Sequence, residues 1–463
     1  MRIQTCYKAK ITESHGAFRD TVALYRDVID FLIDVILLHW VELELLKKKK
    51  RVNRVEQLIH KTKKRPVVEF PEFGERFPKL PSYLRRAAIA EALGKVQAYK
   101  SSYERWGKMG GKKNPPADPH AGFAFLPLYS SNMFKRVDAY HAEIKVFKNN
   151  DWVWHLVKLR KSDMDYIERH CANRKMQSPT LTKRGKNWYL DFPFKEYVAL
   201  KKTKLPQCRV LSIDLGLNCS AACVVMSSNG TVIARRFLRQ AQDNDLLSHA
   251  LSHVKKSQAK GSRSMPAIWG AVKAINKRIS MQTAEFIVAV AKEFDVDVIV
   301  FEHLNVRGKK RKWHGKKKSS SQSKKHKGRG KKNSSSQRVH HWRCQYVQAM
   351  VTNKAHRNRM RVSRVCAKNT SRLAFDGSGS VQRGKEANLP TNSLCRFKDG
   401  RVYNCDLNAA YNIGARYFVR EYLKTFSDSE TERRAVEAKV PALSKRSTVT
   451  LSDLISLQAV LGV

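Results

Sequence analysis

The sequence contains no CxxC pair, and its nine cysteines are scattered and odd in number. That excludes a disulfide-stapled scaffold and leaves reduced thiols in a cytosolic setting as the plain reading. Long apolar runs are missing too. The most apolar stretch, residues 28–46, is broken by Asp30, Asp34, Glu42 and Glu44, which makes it an amphipathic helix rather than a membrane span. No signal peptide is expected at the start. Acids are scarce: 40 Asp and Glu stand against 90 Lys and Arg, a formal charge of +50. A chain this basic repels itself unless a polyanion neutralises it. Nucleic acid is therefore the expected partner, and no membrane is expected. The 463 residues are enough for two to four domains with real cores.

Residues 1–11 alternate in polarity, as a half-buried strand does. Residues 17–46 switch to helical period through Val22, Tyr25, Ile29, Leu32, Ile36 and Leu43. A proline-rich connector ends at Pro81 and Ser82, which suit a helix start. The helix that follows carries Val96, Tyr99, Tyr103 and Trp106 on one face, with Arg85 and Arg86 elsewhere. Packing of that stripe against the first helix is the preferred reading, and base stacking the alternative. Gly110, Gly111, Pro115, Pro116 and Pro119 mark a boundary. Beyond it, Ala142–Val146, an Asn149-Asn150 turn and Trp152–Leu156 read as a hairpin, and Trp188–Phe194 as a further strand. From Pro206 strands and helices alternate, with strands at 210–214, 221–226 and 231–238 and a helix over 267–294. Residues 307–337 hold no acid and almost no apolar side chain, so they cannot order themselves by burial. Helical period resumes over 339–355 and is expected again over 451–461.

Three carboxylates stand out within this pattern. Asp214 ends the apolar run in VLSIDLGLN, Glu302 ends the run in VIVFEHLN, and Asp406 opens a helical pattern in NCDLNAAYNIGARY. One acid at a strand end is ordinarily a solvated loop residue. Three in these settings suggest convergence on Mg²⁺ or Mn²⁺, hard ions that prefer oxygen ligands. A β-hairpin start followed by helix and strand fits a ribonuclease H-like α/β core.

These residues resemble the three split RuvC motifs of the TnpB family of transposon-encoded RNA-guided nucleases, relatives of the compact type V CRISPR effectors. The third motif, with Asn408, Ala409, Ala410, Asn412 and Ile413, is the most specific. The resemblance implies a multidomain α/β protein. Its C-terminal ribonuclease H-like (RuvC) domain would follow an N-terminal β-barrel wedge domain interrupted by a helical recognition insertion. The corresponding segments are 1–16 and 116–205 for the wedge, 17–115 for the helical insertion, 206–424 for the nuclease domain and 425–463 for a C-terminal tail. Within the nuclease domain lie the basic insertion 307–337 and a lobe at 360–405. The tail could pack, extend an RNA contact or stay mobile.

The implied activity is Mg²⁺-dependent cleavage of target DNA beside a short flanking motif, with guide RNA and target DNA as partners. Asp214 would bridge two metal ions, and Glu302 and Asp406 would each hold one side. The competing readings are a guided DNA-binding regulator without cleavage and an unguided ribonuclease H-like nuclease or transposase. The family's lobe ordinarily binds zinc through two CxxC pairs. Here Cys366, Cys395 and Cys405 stand isolated in sequence, and no structural zinc is expected. Asn369 to Arg372 resemble the family's Thr-Ser signature, and Phe375, Asp376, Gly377 and Gly379 suggest a turn in place of the knuckle. Arg372 is a candidate for substrate phosphate or for a structural role. Arg85, Arg86, Lys309, Lys310, Arg311, Lys316 and Lys317 are further candidates for nucleic-acid contact. The expected location is cytoplasm or nucleoid, or the nucleus of a eukaryotic host, where the run from Lys309 to Lys332 would serve as a signal.

Overall fold

A computed structural model describes residues 1–111, 114–129, 131–262, 264–304, 343–426 and 430–462. The chain divides into two compact units, Arg2–Tyr197 and Val198–Val463, the second also taking in Met1.

In the first unit β1 (Arg2–Lys10) leads into five helices: α1 (Gly16–Leu38), α2 (Trp40–Leu45), α3 (Lys48–Ile59), α4 (Glu72–Arg76) and α5 (Ser82–Lys108). Strands β2 (Phe134–Arg136), β3 (His141–Lys148) and β4 (Asp151–Lys158) follow, then α6 (Lys161–Cys171), β5 (Lys175–Met176), β6 (Thr180–Arg184) and β7 (Asn187–Tyr197). The first strand pairs with the last, from Arg2 opposite Tyr197 to Lys10 opposite Tyr189. The helices are thus inserted between the two halves of one antiparallel ladder. The hairpin of β3 and β4 turns on Asn149 and Asn150, both at positive φ (51° and 58°), as a primed two-residue turn requires. The single helix expected over 17–46 breaks at His39, whose Nε2 lies 2.8 Å from Glu69. A closed barrel does not form among the described residues. β1, β5, β6 and β7 make one sheet and β2–β4 another, joined by isolated bridges such as Ile11 to Leu159. α1 buries Phe18, Val22, Ile29, Leu32 and Ile36 in a core shared with Leu84, Ala88, Ile89 and Ala92 of α5.

The second unit is built on a five-stranded sheet. Its strands are β8 (Arg209–Asp214), β9 (Ala221–Ser227), β10 (Val232–Leu238), β11 (Val298–Glu302) and β12 (Arg361–Val365), in the order β10-β9-β8-β11-β12. The first three form an antiparallel meander; β11 runs parallel to both β8 and β12. Helices α7 (Ala241–Ala259) and α8 (Pro266–Glu293) link β10 to β11, and α9 (Cys344–Arg357) precedes β12. The lobe that follows holds β13 (Gln382–Arg383), β14 (Leu394–Arg396) and β15 (Val402–Asn404). Then come α10 (Cys405–Thr425), α11 (Glu430–Lys439) and α12 (Leu451–Leu461).

Both faces of this sheet are covered. Val210, Val224, Met226, Val298 and Val300 pack on Ala410, Ile413 and Phe418 of α10 and on Leu454 and Leu457 of α12. Leu211, Ile213, Cys223, Ile299 and Phe301 pack on Ile287, Val288 and Ala291 of α8 and Val351 of α9. Burial on both faces is why β8, β9 and β11 read as largely apolar runs without alternation. Of the three roles open to the C-terminal segment, the structure shows packing. Val436, Leu443, Leu454 and Leu457 join the sheet's core, and Thr450 and Asp453 form a capping box at the start of α12. No described helix is long and apolar enough to cross a membrane.

Candidate active site

Asp214 is the last residue of β8 and Glu302 the last of β11, and these strands are parallel neighbours with Ile213 opposite Phe301. Their carboxylates therefore leave the same edge of the sheet. Gly216 follows Asp214 where a Cβ would stand 2.7 Å from the Cys219 carbonyl oxygen, so the turn beyond the first acid excludes any side chain. Asp406 lies in the first turn of α10. Asn404 caps that helix, its side-chain oxygen accepting from the N–H groups of Asp406 and Leu407 at 2.9 and 3.0 Å.

The three acids share one field. Burial, then the charges of Glu302 and Asp406, raise the Asp214 carboxyl well above the usual carboxylate range, with Arg383 opposing. Burial likewise raises Asp406, against the pull of Arg383 and Arg239. Among the described residues no set of three or more His, Cys, Asp or Glu side chains forms a ready metal cage. The donor chemistry nonetheless fits a hard divalent cation: three carboxylates, of which Asp214 and Asp406 have a raised proton affinity that marks uncompensated negative charge.

The third motif explains itself in the packing. Asn408, Asn412 and Arg416 recur at i, i+4 and i+8 on α10 and are buried. Asn408 Nδ2 donates to the Leu373 carbonyl at 2.8 Å and its oxygen accepts from the Phe375 N–H. Asn412 Nδ2 donates to the Thr370 and Leu373 carbonyls, each at 2.9 Å, and its oxygen accepts from Leu451 N–H at 3.2 Å. Arg416 donates to the carbonyls of Cys366, Lys368, Ser447 and Val449. This ridge holds the 366–375 loop, and from that loop the Thr370 hydroxyl donates to Glu302 Oε1. Gly414 lets α10 lie close on the sheet, since a Cβ there would come 3.2 Å from Met226 Sδ and Ser212 Oγ.

Arg372 sits exposed on the same loop. Arg85 is buried, and its guanidinium donates to Glu56 Oε1 at 3.1 Å, while Arg86 donates to Glu56 Oε2 and Asn53. Both arginines thus have intramolecular partners that tie α5 to α3. Lys309, Lys310, Arg311, Lys316 and Lys317 lie outside the described residues. Cys395 and Cys405 are not isolated from each other. The turn from β15 into α10 sets the Cys405 thiol beside that of Cys395, which donates to the Tyr403 carbonyl at 3.5 Å; the pairing raises Cys395 and lowers Cys405. The sequence reading missed Arg383 and Arg239, the cations that face the acids, because nothing marks them among 90 basic residues. It also missed Arg416, which its i+4 spacing from Asn412 could have flagged.

Comparison with known proteins finds three kinds of likeness. The Aq_aa04 family matches residues 5–148. The TnpB-like protein aq_aa05 of Aquifex aeolicus (strain VF5) is 25% identical over 266 residues, which cover 51% of this chain and 76% of the relative. Among solved structures, a Cas12f1–sgRNA–target DNA complex is 13% identical with a TM-score of 0.33, covering 89% of this chain and 98% of that one. CasPhi-2 (Cas12j) bound to crRNA is 10% identical with a TM-score of 0.37, covering 89% and 97%. The chain is therefore similar to a TnpB-like protein along about half of its length, in keeping with the family its three acidic motifs resemble.

Proposed function

We propose that this protein is an RNA-guided DNA endonuclease of the RuvC type, cleaving target DNA beside a short flanking motif. The observation that carries the reading is that Asp214 and Glu302 end adjacent parallel strands and that the charges of Glu302 and Asp406 both act on Asp214. Each of the three raises or shares a field that a divalent cation would neutralise. The strand order, with an antiparallel meander followed by two parallel strands, supports the ribonuclease H-like reading. The likeness to a TnpB-like protein supports guidance by RNA.

Asp214, Glu302 and Asp406 would hold Mg²⁺ or Mn²⁺. Bound divalent ions supply an activated water and stabilise the charge that develops on the phosphate. The chain's own residues do the rest. Thr370 fixes the rotamer of Glu302 through its hydroxyl. Asn408, Asn412 and Arg416 hold the loop that presents Thr370 and Arg372. Arg383 and Arg239 lie within electrostatic reach of the acids and would attract the phosphate of an incoming strand. Water oxygen bonds to phosphorus as the bond to the 3′ oxygen breaks, leaving a 5′-phosphate and a 3′-hydroxyl. The guide RNA would pair with the target, while the protein reads duplex shape and the flanking motif.

The test is to express the protein with its native flanking DNA, sequence the RNA that co-purifies, and offer the complex a matched plasmid with Mg²⁺. One discrete RNA and cuts only at matching sites are expected, with Asp214→Asn reduced to background. Cutting by Asp214→Asn at the wild-type rate would overturn the site assignment. Metal-dependent cutting without any enriched RNA would overturn guidance.

A further inference from the structure

Helix α5 is longer than its core requires. It runs to Lys108, yet its last buried residue is Val96. The expected packing of the aromatic stripe on the first helix holds only as far as that valine. Tyr99, Tyr103 and Trp106 lie outside the hydrophobic core of the unit. They form instead a ladder along one face of the overhang, with ring centroids 5.9 Å apart for Tyr99 and Tyr103 and 5.2 Å for Tyr103 and Trp106. Tyr103 is 45% exposed. Tyr99 is half-buried, and burial, then the neighbouring Asp118 carboxylate, raises its phenol. By the helical period, Lys100 and Arg105 flank the stripe on opposite sides.

Past Val96 no residue of α5 is buried, although the Trp106 ring lies against Gly111, and cations border the row of rings. The same row suits unpaired bases, because every base has a π-face and every nucleotide a phosphate. A partner helix would ask for an apolar groove, whereas here positive charge borders the rings. We infer that Tyr99, Tyr103 and Trp106 form a stacking platform for the unpaired bases of single-stranded RNA. Ser102 favours RNA over DNA. It lies on the ladder's face, three residues after Tyr99 and four before Trp106, and its hydroxyl proton is committed to the Ala98 carbonyl at 2.7 Å. Its oxygen can then only accept, and a ribose 2′-hydroxyl donates where deoxyribose cannot. The inference rests on the guided reading only in that a guide supplies such a strand.

The test uses the full chain and a short uridine RNA carrying one 2-aminopurine, whose fluorescence falls on stacking, beside the thymidine DNA of the same length. The wild type is expected to quench the RNA probe and to prefer it over the DNA. Tyr103→Ala with Trp106→Ala should weaken RNA binding roughly tenfold and remove the quenching. Tyr103→Phe with Trp106→Phe should keep both, and circular dichroism of each variant controls for loss of helix. Wild-type affinity and quenching in the double alanine variant would overturn the platform. Equal loss for RNA and DNA would overturn the choice of RNA. The probe carries no guide sequence, so failure of guided cleavage leaves this result standing, and failure here leaves guided cleavage standing.

Discussion

Two side chains show how single contacts set the chemistry. Thr370 is buried, and its hydroxyl is the link between the 366–375 loop and Glu302. Thr370→Val keeps the shape and removes the donor, so Glu302 would lose its fixed orientation rather than its place. On the proposed nuclease reading, cleavage should fall roughly 10–100-fold, with the Mg²⁺ needed for half-maximal rate rising. An unchanged Mg²⁺ dependence would show that Thr370 acts only in packing. Asp163 makes a different point in the first unit. Burial alone would raise its carboxyl, but hydrogen bonds from Arg160 and from the Lys10 N–H outweigh it and hold the group below its ordinary value. A depressed carboxylate stabilises the fold above the unfolded-state pKa of about 3.9, and that contribution is lost as pH falls through the folded value. Asp163→Ala should therefore cost about 1 kcal/mol at neutral pH and progressively less below pH of about 4. Denaturant titrations at several pH values measure the difference; a gap that stays constant into acid would refute the linkage.

Among the elements, α10 carries the most consequence, because one face packs on the sheet and its polar ridge holds the loop. Asn412→Leu would leave the Thr370 carbonyl and the Leu451 N–H without their Asn412 partner, while the Leu373 carbonyl keeps Asn408. Unsatisfied buried groups cost about 1–3 kcal/mol each, so a loss of about 3 kcal/mol in unfolding free energy is expected, with relaxation absorbing the remainder. Urea unfolding of variant and wild type measures it; a loss within about 0.5 kcal/mol would mean that the ridge is dispensable. The elements themselves were largely legible. β8 and β11 announced themselves as apolar runs ending in acids, since a sheet covered on both faces needs no alternation. Asp406 marked the start of α10 to within a residue, and the Asn149-Asn150 pair marked its hairpin. What could not be read was long-range placement. Periodicity found the aromatic face of α5 but not where the core beneath it ends. The Cys395–Cys405 contact depends on a three-stranded lobe that no local pattern specifies, and closure of a barrel depends on pairings between distant strands.

At the scale of the whole molecule, charge is the dominant fact. Forty acids can neutralise at most forty of the 90 basic residues, which leaves a formal +50. The ion pairs that form are mostly at the surface, such as Arg54 with Glu42 and Arg433 with Glu437. Pairs of that kind contribute about 0–1 kcal/mol each, so they do not offset repulsion summed over the chain. Self-repulsion should therefore govern how stability responds to salt. Exposed charges interact over a Debye length of about 10 Å at 0.1 M salt and about 3 Å at 1 M, so added salt removes repulsion faster than it removes close ion pairs. The Tm of the nucleic-acid-free protein should rise as NaCl increases from low to physiological concentration. A polyanion such as heparin, added at low salt, should raise it further by binding the folded state. RNA binding should respond in the opposite sense, weakening linearly in log salt as released counterions are opposed. The two slopes come from one cause and must appear together. A Tm that falls with salt would mean that specific ion pairs outweigh the net charge, and would remove the physical reason for expecting a nucleic acid to complete this molecule.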